Sequence, residues 1–269
     1  MDIFTHIVSG LAASTMVVAF TKDRTATVSR ILGAGALGGA FPDIDTISLW
    51  SKFDIIIGEG LGLAHPGKEI YFAKFWYSHH AFFHSITAAV MVGFIFGCLA
   101  FLNHITQWQQ KKETFSDFFK INRPVYLAFV LGCLAHITGD LFTPPGTWGG
   151  VRLFYPLEVY VGGMGCIWWW NNYDIFFIIC TGTLLNLILI SIVTKHYRRI
   201  RIMTAVIATL IIFGVWYEGA TRTNGYACAE NVHTYQQLEQ KSKEEQQRIL
   251  GEKLYQIVEK FDDWLAINF

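Results

Sequence analysis

Charge is scarce in this chain. Charged residues make up 16% of its 269 positions and hydrophobic ones 52%, with a mean hydropathy of +0.35; a soluble globular domain averages about 25% charged. So little charge cannot clothe a solvated surface, and the composition indicates a membrane protein. The formal net charge is zero and no basic region is spread as a nucleic-acid surface would be, so no nucleic-acid partner is expected. No CxxC spacing occurs among Cys98, Cys133, Cys166, Cys180 and Cys228, which excludes a zinc knuckle or a disulfide framework; Cys98, Cys133 and Cys180 lie in apolar runs and read as packing residues. The start, Met1-Asp2-Ile3-Phe4-Thr5-His6, lacks the basic stretch of a cleavable signal, so the first apolar run is expected to remain in the mature protein. There is no internal repeat, no low-complexity segment, and no mark of an obligate protein partner.

Apolar runs of helical length are present: Ile3–Phe20, Val28–Phe41, His80–Leu102, Pro124–Gly139, Ile175–Thr194 and Ile200–Tyr217. Crossing a bilayer takes about 20 residues; the third, fifth and sixth runs reach that, while the others are shorter. The second is rich in small residues (Gly33, Gly35, Gly38, Gly39), which favours close helix packing. The expected fold is an all-α, multi-pass membrane bundle of about six transmembrane or membrane-embedded helices over residues 1–217. A tail, 218–269, follows, in which Leu250, Leu254, Ile257, Phe261 and Trp264 recur at helical spacing and predict an amphipathic helix. Short connections make successive helices antiparallel. Lys22, Arg24 and Arg30, then Lys111, Lys112, Lys120 and Arg123, then Lys195, Arg198, Arg199 and Arg201 therefore fall on one face, which the positive-inside rule makes cytoplasmic.

The ionisable residues gather at the opposite, outer ends. His6 stands in the first turns of helix one; Asp43 and Asp45, in "FPDID", follow helix two; His79, His80 and His84, in "SHHAFFHS", open helix three; His136 and Asp140, in "AHITGD", close helix four. Ionisable groups in membrane segments are costly, about 2.5–3.5 kcal/mol at a helix centre, and usually mark function. Helical spacing of four places His136 with Asp140, His80 with His84, and Asp2 with His6 on shared faces. Imidazole with carboxylate suits zinc, and an oxygen-richer set admits manganese or magnesium. The number of ligands suffices for two or more ions, which about 3.5–4 Å apart can activate water and stabilise a phosphoryl group.

Other chemistries find less support. Ser85 beside His84 lacks a separate base and orienting acid, and "GEGLG" at Gly58–Gly62 lacks the strand–turn–helix setting of a phosphate loop. Trp168–Trp170 read as interfacial anchors.

The stretches "MDIFTHIVSG", "GALGGAFPDID", "SHHAFFHS" and "HITGDLFTPPGTWGGVRLFYPLE" resemble, in order and spacing, the YdjM family of membrane-bound metal-dependent hydrolases, over about residues 1–160. That family is considered distantly similar to zinc-dependent phospholipase C and the P1-type nucleases. The resemblance implies a phosphodiesterase or phosphatase, with membrane lipid as the substrate. His6, Asp43, Asp45, His84, His136 and Asp140 match the family's motif positions. At the third motif the family pattern selects His79 while helical spacing selects His80, so both are candidates, one of them expected behind the ligands. That motif also lacks its usual arginine, which leaves Arg152, in "GGVRLFYP", as the candidate phosphate-binding residue.

These readings converge on an integral hydrolase of a prokaryotic cytoplasmic membrane, with its active site on the outer face. Asp43, Asp45 or Asp140 would serve as general base. A metal-ion transporter is the alternative, but it needs ligands along a route through the bilayer, and the inner halves of these helices are nearly free of ionisable residues. A non-catalytic bundle tied together by metal is the third reading.

Overall fold

A computed structural model describes residues 3–21, 27–103, 114–143, 146–163, 173–192, 197–221 and parts of 237–264. Asp2, Pro144-Pro145, Trp168–Trp170, the turn residues Lys22, Arg24, Lys111, Lys112 and Lys195, and much of the polar tail lie outside the described residues.

Six long helices form the body: α1 (Ile3–Phe20), α2 (Thr27–Ala40), α4 (Ile86–Asn103), α5 (Phe115–Leu141), α6 (Tyr173–Ile192) and α7 (Tyr197–Thr221). A short α3 (Gly67–Phe72) lies in the loop before α4, and α8 (Glu252–Trp264) lies in the tail. Among the described residues, four helical segments are long and apolar enough to cross a membrane: Ile3–Phe20, Ser116–Leu141, Asp174–Ser191 and Arg199–Glu218; Ile86–Leu99 of α4 is apolar but shorter. The expected all-α membrane bundle is what the chain forms.

Helices α1, α2 and α5 pack on one another as the inner trio, α6 and α7 pair against α1, and α4 lies on α5. Glycine makes the trio possible. A Cβ on Gly10 would run into the carbonyl oxygen of Gly35, one on Gly39 into that of His6, one on Gly38 into that of Phe129, and one on Gly132 into that of Gly35. Backbones this close gain dispersion contacts that lipid cannot replace. At the end remote from the histidines the trio closes on Val17, Val18, Ile31 and Ala128. Lipid-facing surfaces carry large apolar residues such as Phe94, Phe96, Leu184, Leu210 and Phe213.

Two boundaries differ from the sequence expectation. The third apolar run becomes helical only at Ile86, so His79, His80 and His84 precede α4 in a turn and a 3-10 segment (Phe82–His84) instead of opening the helix. His80 has φ +62°, in the left-handed region; the expected helical pairing of His80 with His84 therefore does not exist. The fourth run is much longer than Pro124–Gly139: α5 begins at Phe115 on a capping box between Thr114 and Asp117, and Pro124 sits inside it. Lys120, whose carbonyl Pro124 would leave without its helical donor, is a highly exposed residue.

Candidate metal centre

The site forms where α1 begins, α2 and α5 end, and α4 begins. After Ala40 the chain tightens into a nine-residue 3-10 helix, Phe41–Leu49, with Pro42 in its first turn. Three residues per turn place Asp45 and Ser48 on one edge, both buried. This helix rests on α3, whose Gly67 N–H donates to Asp54 Oδ1 at 2.6 Å. From the other side the loop 146–163 folds over: Arg152 N–H donates to His80 O at 2.8 Å, and Ile86 N–H to Leu153 O at 3.1 Å.

All eight predicted ligands, from His6 to Asp140, converge here. His84 Nε2 lies 3.3 Å from His136 Nε2, 3.5 Å from Asp43 Oδ1 and 3.7 Å from Asp140 Oδ2. His136 Nε2 lies 3.6 Å from Asp43 Oδ1 and 3.0 Å from Asp140 Oδ2. A tetrahedral ion with bonds of 2.0–2.1 Å needs its ligand atoms about 3.3 Å apart. Five of the six edges of this four-atom set thus fall at 3.0–3.7 Å. His6 joins from α1, its Nε2 3.2 Å from Asp140 Oδ1 and its ring stacked on His136 at 3.5 Å.

The surrounding hydrogen bonds point lone pairs inward. His136 Nδ1–H donates to Gly39 O at 2.7 Å, His80 Nδ1–H to Gly150 O at 3.1 Å, and His79 Nδ1–H to Asp45 Oδ1 at 2.7 Å. Since carbonyls and carboxylates only accept, each bond fixes the tautomer that leaves Nε2 as the donor atom for a metal. Asp45 faces two imidazoles, with Oδ2 3.2 Å from His84 Nδ1 in a geometry not aligned for a hydrogen bond. Two buried imidazole nitrogens, His6 Nδ1 and His84 Nδ1, have no hydrogen-bond partner. Such orphaned polar atoms are rare in a settled interior and fit a site built for an ion.

Asp43 is the one carboxylate of the centre at its edge, with its side chain 17% exposed against 1% for Asp45 and 4% for Asp140. With only protein groups around it, burial pushes the His84 imidazole down, but the Asp45 charge and the adjacent Asp43 and Asp45 carboxylates outweigh this and push it up to about 10. For Asp45, burial pushes up; the charges of His79 and His84 win and hold it below the usual carboxylate range.

Four ligand groups meet the spacing for an ion: His79–His80–His84, His6–His136–Asp140, Asp43–His84–His136 and Asp43–Asp45–His79. The centre can hold a metal ion. Both His79 and His80 belong to it. The left-handed backbone of His80, which costs a non-glycine residue about 1–3 kcal/mol, persists because its carbonyl and its ring are both held by the 146–163 loop.

Two contributors were not singled out by sequence reasoning. Trp148, 2% exposed, donates its indole N–H to Tyr71 O at 2.8 Å and packs on His79 and His80 at 5.0 and 4.5 Å. Tyr71 stacks on His79 at 4.5 Å. Trp148 stands within the quoted "TPPGTWGG", beside glycines that let the loop turn back on itself, and that placement was its only signal. Arg152 does lie beside His80, but its guanidinium is engaged by its own loop: Nε donates to Leu157 O and Nη2 to Pro156 O, both at 2.8 Å, with Glu158 at 3.7 Å.

A helical bundle with membrane-spanning segments and a buried His/Asp centre at one end defines an all-α integral membrane protein able to bind metal. The YdjM inner membrane protein family matches residues 1–221, and the chain belongs to that family. No curated protein and no solved structure matches it.

Proposed function

We propose that the protein is a membrane-embedded metal-dependent hydrolase of phosphoesters, with a phosphorylated lipid as substrate and zinc as its metal. The observation that carries this reading is the set His84 Nε2, His136 Nε2, Asp140 Oδ2 and Asp43 Oδ1, in which the two nitrogens lie 3.0–3.7 Å from each other and from both oxygens. Three of its members are buried and one borders solvent. Catalytic zinc sites pair three protein ligands with an exchangeable position, and Asp43 marks the side on which exchange would occur. Such an ion lowers the pKa of a water and polarises a phosphoryl oxygen.

The chain's own groups have distinct parts. His136, locked by Gly39 O, and His84 present lone pairs to the ion; Asp140 bridges toward His6; Asp45 steadies His79 and His84 from behind. Asp43 is the carboxylate placed to take a proton from a water at the site's edge. The remaining nitrogens of His79 and His80 provide for a second ion. The outer-face orientation rests on Arg30, Lys120, Arg123, Arg199 and Arg201 at the far helix ends, where Arg201 Nε donates to Ala19 O at 3.0 Å.

A second reading has its own observation. The buried histidines and aspartates are numerous enough to fill every position of an ion, as in structural zinc sites, so the metal would only tie four helix ends together. Elemental analysis and turnover separate the two. The hydrolase reading expects bound zinc or manganese, release of phosphate or phosphoalcohol from lipid esters, and loss of both metal and turnover in His136→Ala. Wild-type protein replete with metal but inert on phosphoesters would leave the structural reading.

A further inference from the structure

The 3-10 helix that carries Asp43 and Asp45 has a second edge. Asp45 and Ser48 face inward, each 6% exposed, whereas Ile44 and Ile47, three apart and therefore stacked along one side, are 50% and 49% exposed. Ile55 and Ile56, in the next helical turn, are exposed as well. A soluble cap over a metal centre would not leave a row of branched apolar side chains outermost beside its carboxylates.

Depth says what covers them. Helix α1 has 18 residues, about 27 Å at 1.5 Å per residue, so its whole length is needed to cross an apolar layer of about 30 Å. His6, three residues past its start, therefore lies within the layer's margin. From His6 a chain of short contacts leads across one level: 3.2 Å to Asp140, 3.0 Å from Asp140 to His136, and 3.6 Å from His136 to Asp43. Ile44 is the next residue. Lys52 and Lys68, both exposed, lie on the segment leading away from it, as residues reaching toward headgroup phosphates do.

We infer that the Ile44–Ile47 edge is a lipid-contact surface, seated in the bilayer at the boundary of acyl chains and headgroups beside Asp43. It anchors the cap in the membrane, and it lets an amphiphile meet the metal centre from the side without leaving the bilayer. The surface stands on the membrane character of the chain alone, so an inert or metal-free protein has it too.

The test is photolabelling of the wild-type full-length chain in phosphatidylcholine bilayers carrying a phospholipid with a diazirine on its acyl chain, with adducts mapped by mass spectrometry. The expected result is labelling of the peptide spanning residues 41–52 within about threefold of that on the lipid-facing Phe94–Leu99 stretch. A second measurement places a fluorescent amino acid at position 47 or, separately, at position 68. Spin-labelled lipid should quench the first and aqueous iodide the second. Position 47 quenched by iodide as strongly as position 68 would overturn the inference, because the edge would then face water. A 41–52 peptide free of adducts, with position 47 shielded from both quenchers, would also overturn it, since a second copy of the chain would then cover the edge.

Discussion

Gly39 couples helix packing to the metal centre, and Gly39→Ala is the sharpest perturbation of it. The added Cβ would overlap the carbonyl oxygen of His6 and lie 3.0 Å from its carbonyl carbon, so a rigid backbone, and no rotatable side chain, is what it meets. Relief requires α1 and α2 to part by roughly 1 Å, at an overpacking cost of about 1–3 kcal/mol. The same displacement carries Gly39 O away from His136 Nδ1, now 2.7 Å distant, and His6 Nε2 away from Asp140. Metal sites tolerate about 0.2 Å in ligand position, and loss of an orienting partner typically costs 10–100-fold in affinity. Competition with a chromogenic chelator on detergent-solubilised protein should therefore show zinc affinity reduced by about 10–100-fold in Gly39→Ala. Gly33, six residues earlier on α2, has open space where a Cβ would go. Gly33→Ala should leave affinity unchanged and raise thermal stability slightly, since alanine is favoured over glycine in a helix by about 0.8–1 kcal/mol. Equal zinc affinity in Gly39→Ala and wild type, with the variant folded, would refute the coupling.

Zinc binding should release protons, because His84, pushed up to about 10, carries one at neutral pH and must shed it to ligate. Calorimetry in buffers of different ionisation enthalpy should find close to one proton from this group per ion near pH 7.5, and affinity that rises with pH. Without metal the sign runs the other way: a raised pKa contributes stability that is complete below about pH 6.5 and is lost as pH rises through about 10. Arg152→Gln removes donors to Leu157 O and Pro156 O; the melting temperature should fall, and zinc affinity should fall with it as the loop releases His80. An arginine acting only on substrate would lower turnover and leave both unchanged. Asn186→Leu deletes the hydrogen bond to Thr15 Oγ1 at 3.1 Å between α6 and α1, and about 0.6–1.7 kcal/mol of stability should go with it in steric-trap or denaturant unfolding.

Much of this arrangement was legible because residue type carries the chemistry. Histidine and aspartate in apolar surroundings stand out wherever they fall, and antiparallel helices bring their ends to one level; His6, Asp43, Asp45, His84, His136 and Asp140 followed from that. Hydropathy located α1 and placed α6 and α7 within a few residues. It failed at α5, whose first turns, "FSDFFKIN", are too polar for an apolar window although Thr114 and Asp117 spell out a cap. It failed again at the start of α4. Apolar "AFFHS" reads as helix, and only contacts some 70 residues distant, Arg152 N–H on His80 O and Gly150 O on His80 Nδ1, hold the turn that delays the helix to Ile86. The same limit hides the partners Arg152 has within its own loop, the carbonyls of Leu157 and Pro156. The groups that select each imidazole's tautomer, Gly39 O and Gly150 O, leave no trace in sequence, since every residue has a carbonyl. What does leave a trace is the missing side chain: glycines at 38 and 132 let α2 approach α5 closely enough for that carbonyl to reach His136, and glycine at 39 lets α1 bring His6 to the same site. A ligand set can therefore be read from its side chains, but its aim is set by backbone, and the glycines are where the sequence records it.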